Sequence, residues 1–147
     1  MALRIVLRVG LLVLAAMQAL LGLWALPAPH SFYDSFPLPG HGWVALLPPY
    51  NEHLVRDVGA FSLALTVVLG AAALILDRTM IRVALLALAV FAIPHTIFHA
   101  GHLAGFPATD AVAQTVGTVL QLILTASLFA LTWRLAARAP VRSAPPR

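Results

Sequence analysis

Three histidines, His95, His99 and His102, close the third long apolar segment of the chain. An uninterrupted α-helix would hold all three imidazoles on one face, within an arc of about 60°. Imidazole nitrogens bind zinc, iron or copper(II), and they also exchange protons near neutral pH. The spacing therefore predicts either a metal site or a face of hydrogen-bonded, proton-sensing histidines.

Further chemistry is concentrated at the head of the second apolar segment. Asn51 is predicted to cap a helix there, and the pairs Glu52–Arg56 and His53–Asp57 have the i,i+4 spacing of contacts on a helix surface. His53 is a candidate fourth metal ligand, and Glu52 and Asp57 are candidate acid–base catalysts. Arg56 is expected either to pair with Glu52 or to bind an anionic head group.

The donor types limit the cofactor. Nitrogen and oxygen ligands without sulfur suit zinc, iron or copper(II), and histidines from two facing helices could bind a haem iron. The chain has no cysteine, which excludes disulfides, thiolate metal sites and cysteine nucleophiles. It also has no His-Glu-x-x-His motif and no pair of Glu-x-x-His motifs, so neither a zincin nor a di-iron bundle is supported. Metal-free acid–base chemistry stays open.

The elements that position these residues are four long apolar segments. The chain has 147 residues, of which 61% are hydrophobic and 10% charged, and its mean hydropathy is +0.94. Roughly 20 residues suffice to cross a bilayer, and the qualifying segments are 5–26, 58–76, 83–100 and 111–133. We therefore predict an all-α, integral membrane four-helix bundle as a single domain over 1–135. The proline-containing tail 136–147 is predicted to be disordered.

The distribution of arginine predicts the orientation. All nine basic residues are arginines, and only Arg56 does not lie beside the N-terminus, the 77–82 turn or the C-terminus. By the positive-inside rule, both termini face the cytoplasm, while a cap over 27–57 and the loop 102–110 face outward. We thus expect a multi-pass protein of the bacterial cytoplasmic (inner) membrane, with its site on the extracytoplasmic side and no role in nucleic-acid binding. The alternative is that the first segment is a cleaved signal peptide, although its apolar run is long for one.

Polar residues also mark the helix faces that point inward. In the cap we expect a short interfacial helix around 42–47, with Trp43 as a candidate ligand contact. Small and polar residues share one face in the first segment (Ala15, Gln18, Ala19, Gly22) and in the second (Gly59, Ser62, Thr66, Gly70). The fourth segment carries a polar stripe, which we interpret either as hydrogen bonds between helices or as the wall of a polar cavity. Its members are Gln114, which is also a candidate ligand contact, Thr118, Gln121, Thr125 and Thr132.

Three short stretches carry a family resemblance. They are the Arg-x-x-x-Arg opening at 4–8, Arg-Asp-Val-Gly-Ala-Phe at 56–61 and Pro-His-Thr-Ile-Phe-His at 94–99. With the four-span layout, they resemble the small bacterial membrane proteins of the DoxX-like group. The resemblance implies a four-helix integral membrane protein, in some cases a partner subunit of a redox complex.

Two functional interpretations follow. In the first, the outward-facing His/carboxylate/Arg site binds a metal or an amphipathic ligand, a small molecule or a lipid, and catalysis on a membrane-soluble substrate is an extension of this role. In the second, the chain is a non-catalytic accessory subunit whose polar residues pack against a membrane partner or a second copy of itself. Transport by this chain alone is not expected, because no titratable group lies near mid-membrane.

Overall fold

The computed structural model describes residues 1–47 and 49–135. Within them it contains five α-helices and no strand: α1 (Ala2–Ala25), α2 (Pro29–Ser35), α3 (Glu52–Ile75), α4 (Arg78–Gly101) and α5 (Ala108–Leu131), followed by a 3₁₀ turn (Thr132–Arg134). The four long helices are each long and apolar enough to cross a membrane. This confirms the all-α prediction with four apolar helices. The predicted disordered tail, 136–147, falls outside the described residues.

The long helices form an up-and-down bundle. Each packs on the next along the chain, and α1 also packs on α5, which closes the ring. We call the end formed by the starts of α1 and α4 the arginine end, because Arg8 and Arg82 lie there. The opposite end, which carries α2 and the segment between α2 and α3, is the cap end.

The contact between α1 and α3 is the most extensive in the molecule, and two glycines permit it. A Cβ on Gly59 would lie 2.5 Å from the backbone nitrogen of Leu26, and a Cβ on Gly22 would lie 2.8 Å from the carbonyl oxygen of Gly59. Small residues allow helix backbones to approach this closely. The sequence prediction of close-packing faces on the first two segments is confirmed at these glycines.

Side-chain caps begin two of the long helices. Asn51 accepts a hydrogen bond from the backbone N–H of Leu54 at 3.2 Å, which confirms the predicted cap. Asp77 accepts from Thr79 and Met80 at 3.0 and 3.1 Å. Because of its cap, α3 begins six residues before the apolar segment 58–76, so its polar first turn is helical as well.

The predicted short helix at 42–47 is wrong. The cap helix is α2, Pro29–Ser35, and residues 42–47 form turns. Pro29 fits the first turn of a helix, where its missing N–H is not needed. Gly40 and Gly42 have positive φ angles of 93° and 53°, a backbone conformation that ends regular helix.

The interior contains two separate apolar clusters. The larger lies toward the arginine end and includes Leu7, Leu11, Leu14, Leu65, Leu69, Leu85, Leu88 and Leu128. The smaller lies under the cap and joins Ala25, Phe32 and Val55 to the half-buried rings of Trp24 and Phe36. Between the two clusters the interior holds buried polar side chains, and the candidate site lies there.

Candidate functional site

A layer of buried polar side chains separates the two apolar clusters. On α1, Gln18 lies between the last residue of the large cluster and Ala25 of the small one, and Ser62 lies on α3 between Leu65 and Val55. Gln18 is 1% exposed, Ser62 0% and Gln114, on α5, 4%. The polar layer therefore consists of neutral hydrogen-bonding groups inside an otherwise apolar bundle.

These groups have no partner among the described residues. Gln18 Oε1, Ser62 Oγ, His99 Nδ1 and both amide atoms of Gln114 are buried and make no hydrogen bond. Leaving a buried polar group unpaired costs about 1–3 kcal/mol, and such groups are rare in native proteins. Each long helix contributes at least one of these unpaired groups.

Two histidines connect this layer to the surface of α4. The His95 ring stacks on Phe91 with centroids 5.0 Å apart and meets the His99 ring edge-on at 4.3 Å. His95 is exposed and His99 half-buried, and the Gln114 amide lies next to the His99 ring without a well-formed hydrogen bond. The imidazoles thus lead from the outer face of α4 to the buried amide of α5.

His102 does not extend this face. The helix ends at Gly101, and His102 is its C-terminal cap residue with φ −127° and ψ 47°, so the helical spacing no longer applies. Its ring stacks on Phe98 at 4.0 Å, and its Nδ1–H donates to the Phe98 carbonyl oxygen at 2.7 Å. The prediction of three histidines on one face therefore holds for two of them.

The structure does not assemble the predicted metal ligands. Across residues 1–47 and 49–135, no three His, Asp or Glu side chains lie close enough together to hold a metal ion. His53 forms an exposed pair with Asp57, Nε2 to Oδ2 at 3.2 Å, on the first turns of α3. The metal and haem interpretations consequently rest on the His95–His99 pair alone.

The charged residues at the head of α3 are engaged in structural contacts. Arg56 donates to Glu52 Oε1 from Nε and from Nη2, both at 2.8 Å, and Nη1 donates to the carbonyl oxygen of Leu26. The expected ion pair is confirmed, and Arg56 also satisfies a carbonyl just past the end of α1. Glu52 and Asp57, the candidate acid–base pair, are both exposed rather than held in a dry pocket.

The cap contributes one buried donor without a partner and one hydrogen bond to α5. Trp43 Nε1 is buried without a partner, with its ring edge-on to Phe36 at 6.1 Å. His41 Nδ1 donates to Asp110 Oδ1 at 2.9 Å, and Asp110 is only 7% exposed. Partial burial raises the pKa of the Tyr50 hydroxyl above its ordinary value, with a further rise from Glu52, so this phenol stays neutral. The His41–Asp110 contact therefore holds the cap against α5. Trp43, a predicted ligand contact, keeps an unpaired donor, as Gln114 does.

One interpretation of the α5 stripe is hydrogen bonding between helices. Its threonine hydroxyls instead donate to carbonyl oxygens of their own preceding turn. Thr118 donates to the Gln114 carbonyl at 3.1 Å, Thr125 to that of Gln121 at 2.8 Å, and Thr132 to that of Phe129 at 2.7 Å. A threonine can always reach a carbonyl of its own preceding turn, so no partner helix is needed. Only Thr132 also serves a neighbour, as the acceptor for Arg82 Nε at 2.8 Å.

Two members of the layer were not identified as site residues from the sequence. Gln18 and Ser62 each stand on a face of small residues, which favours hydrogen bonding between closely packed helices over a polar cavity. The available signal was their polarity within apolar segments, Gln18 about midway along 5–26 and Ser62 one turn into 58–76.

Comparisons of this chain with protein-family models, with curated proteins and with solved structures find no match.

Proposed function

We propose that this chain is a multi-pass protein of the bacterial cytoplasmic membrane that binds an amphipathic molecule through a neutral, hydrogen-bonding head group. The DoxX-like resemblance and the four apolar helices support the membrane assignment. The clustering of arginines at one end supports an orientation with both termini in the cytoplasm. The cap end then faces outward.

The observation that carries the binding role is the set of unpaired, buried polar atoms on all four long helices. Amides, a hydroxyl and an imidazole can donate to and accept from carbonyl or hydroxyl oxygens. The orphan groups of this layer include no carboxylate and no guanidinium, and an uncompensated charged head group would be costly to bury there. A neutral polar head matches the hydrogen-bonding groups of this layer.

The exposed face of His95 supports entry from the bilayer. An imidazole facing lipid is a poor arrangement unless it contacts a ligand or another protein. Phe91 stacks on it and Phe98, one turn further along the same side of α4, adds exposed apolar surface, along which a hydrocarbon tail could lie. The ligand head would move from His95 past His99 to Gln114.

The test is to identify what the protein retains when purified in mild detergent. Bound compounds are extracted and analysed by mass spectrometry for the wild type, Gln114→Leu and Ser62→Ala. Gln121→Leu is the matched control, because Gln121 is half-buried on the same helix and has no orphan atom. We expect a lipid-soluble compound with carbonyl or hydroxyl groups in the wild type and in Gln121→Leu, and its loss in the other two variants.

The same preparations also test the competing interpretations. Near-stoichiometric zinc, iron or copper, or a haem absorption band, that disappears in His95→Ala/His99→Ala would replace the neutral ligand by a metal or haem centre. A stoichiometric co-purifying membrane protein whose loss in Gln114→Leu parallels the loss of binding would favour the accessory-subunit role.

A further inference from the structure

A groove runs between α4 and α5 on the outer surface of the bundle and reaches the arginine end. Its volume is about 370 Å³, and its walls are almost wholly apolar. Ile93 and Leu122 line the groove, and Trp133 stands at the arginine end. The one hydroxyl in the lining, Thr125, already donates to a carbonyl of its own helix. The groove therefore offers no hydrogen bond along its length and suits a hydrocarbon chain.

Two arginines meet at the arginine end of this groove. The guanidinium carbon of Arg82 lies 3.9 Å from the centroid of the Trp133 ring, and that of Arg78 lies 5.5 Å from it. Arg82 Nε also donates to Thr132 Oγ1 at 2.8 Å, and this hydrogen bond holds the guanidinium beside the ring. Two like charges thus share one indole.

No acidic partner neutralises them within the described part of the chain. Neither Arg78 nor Arg82 forms an ion pair there, and Arg82 Nη2 is buried without an acceptor. The adjacent carboxylate, Asp77, accepts from the backbone N–H groups of α4 instead. Two guanidinium groups without a carboxylate partner among the described residues thus lie where the apolar groove ends.

We infer that this groove is a binding site for one anionic phospholipid. An acyl chain lies between α4 and α5, and the phosphate lies beside Trp133 between Arg78 and Arg82. Basic sites between membrane helices bind acidic head groups by such charge pairing. The site uses none of the unpaired groups of the proposed ligand layer, and its charged part lies at the arginine end of the bundle.

The test is native mass spectrometry of the full-length protein in detergent, with equal amounts of phosphatidylglycerol and phosphatidylcholine of matched acyl chains. We expect the wild type to retain phosphatidylglycerol about fivefold more than phosphatidylcholine, the factor for one arginine next to a head group of net negative charge. Arg82→Gln should abolish that preference. Arg78→Gln, which removes only a ring contact from the fold, should reduce it and decides the matter if Arg82→Gln does not fold.

A second variant tests the groove. Ala126→Trp places an indole in the groove and should lower retention of both lipids. Val67→Trp, on the exposed face of α3, should leave retention unchanged. Arg4→Gln is the charge control, because Arg4 is exposed on α1 and away from the groove. Equal retention of the two lipids by the wild type, or an Arg4→Gln effect as large as that of Arg78→Gln, would overturn the inference.

Discussion

Gln114 is buried on α5 with both amide atoms unpaired. A side chain of this kind weakens the empty protein and contributes only when something pairs with it. The same holds for Ser62 on α3. At the scale of single residues, the polar layer is thus recognised by a cost to stability rather than by a reactive group.

Gln114→Leu should therefore stabilise the ligand-free protein by about 1–3 kcal/mol, because it removes an unsatisfied buried amide while keeping its volume. Gln121→Leu, at a half-buried position without an orphan atom, should change stability by less than about 0.5 kcal/mol. The measurement is thermal unfolding in detergent after delipidation. A destabilised Gln114→Leu would mean that the amide has a structural partner.

Arg56 has the opposite character, since its donors are used within the fold. Arg56→Ala should destabilise the protein by about 1–2 kcal/mol, because the carbonyl of Leu26 and the Glu52 carboxylate lose a charged donor. His53→Ala, which breaks only an exposed pair, is the control and should be near neutral. If Arg56→Ala keeps full stability but loses a bound compound, Arg56 is a ligand contact after all.

At the scale of elements, the α1–α3 pair depends on close backbone approach. Gly59→Ala places a methyl group 2.5 Å from a backbone nitrogen that cannot move freely, so we expect a loss of about 1–3 kcal/mol. Gly117→Ala on α5 has no atom within 4 Å of the new methyl group and should gain up to about 1 kcal/mol from helix propensity. Thermal unfolding and the gel-filtration profile of both variants check this.

The cap is a second element whose attachment can be tested. His41→Ala leaves the buried Asp110 carboxylate without its partner, which should loosen the segment after α2 and speed its cleavage in limited proteolysis. Asp34→Ala breaks a pair of the same length, His30 Nδ1 to Asp34 Oδ2 at 2.9 Å, but on the exposed surface and with the His30–Tyr50 ring contact kept, and should leave the cleavage rate unchanged. Equal rates in both variants would show that the cap is held by its aromatic contacts alone.

At the scale of the whole molecule, the bundle is divided along its length. All the described arginines except Arg56 lie with a leucine-rich cluster toward one end, the cap aromatics and the histidines lie toward the other, and the polar layer lies between. Arg8 anchors the first of these regions by donating from Nε to the Ala73 carbonyl at 3.2 Å. In a bilayer the two ends would lie at opposite membrane surfaces, and the proposed orientation assigns the arginine end to the cytoplasmic surface.

The orientation can be measured cleanly, because the natural sequence has no cysteine. Ala104→Cys lies in the exposed loop between α4 and α5, and Thr79→Cys is exposed at the arginine end. A membrane-impermeant maleimide should label Ala104→Cys in intact spheroplasts and Thr79→Cys only after lysis. The reverse pattern would invert the proposed topology.

Local rules were enough for the helices and for contacts within them. Asn51 and the pair Glu52–Arg56 lie within one or two turns of each other, so spacing alone predicted their contacts. His102 departed from its predicted place because α4 ends at Gly101, and the cap helix lies at 29–35 rather than 42–47 because Pro29 suits a first helical turn while Gly40 and Gly42 adopt positive φ. Such errors are local and concern where an element stops.

The sequence by itself determined four apolar helices, the long cap between the first two, and the separation of every arginine but Arg56 from the histidines, because hydrophobicity and charge act at each position without reference to distant ones. Only the tertiary structure decided that Gln18, Ser62 and Gln114 are buried without partners in the described protein, that Arg56 is committed to the end of α1, and that Arg78 and Arg82 meet at Trp133. These facts depend on which helix faces pack together, and pairing between distant segments is not encoded by the period of any one of them.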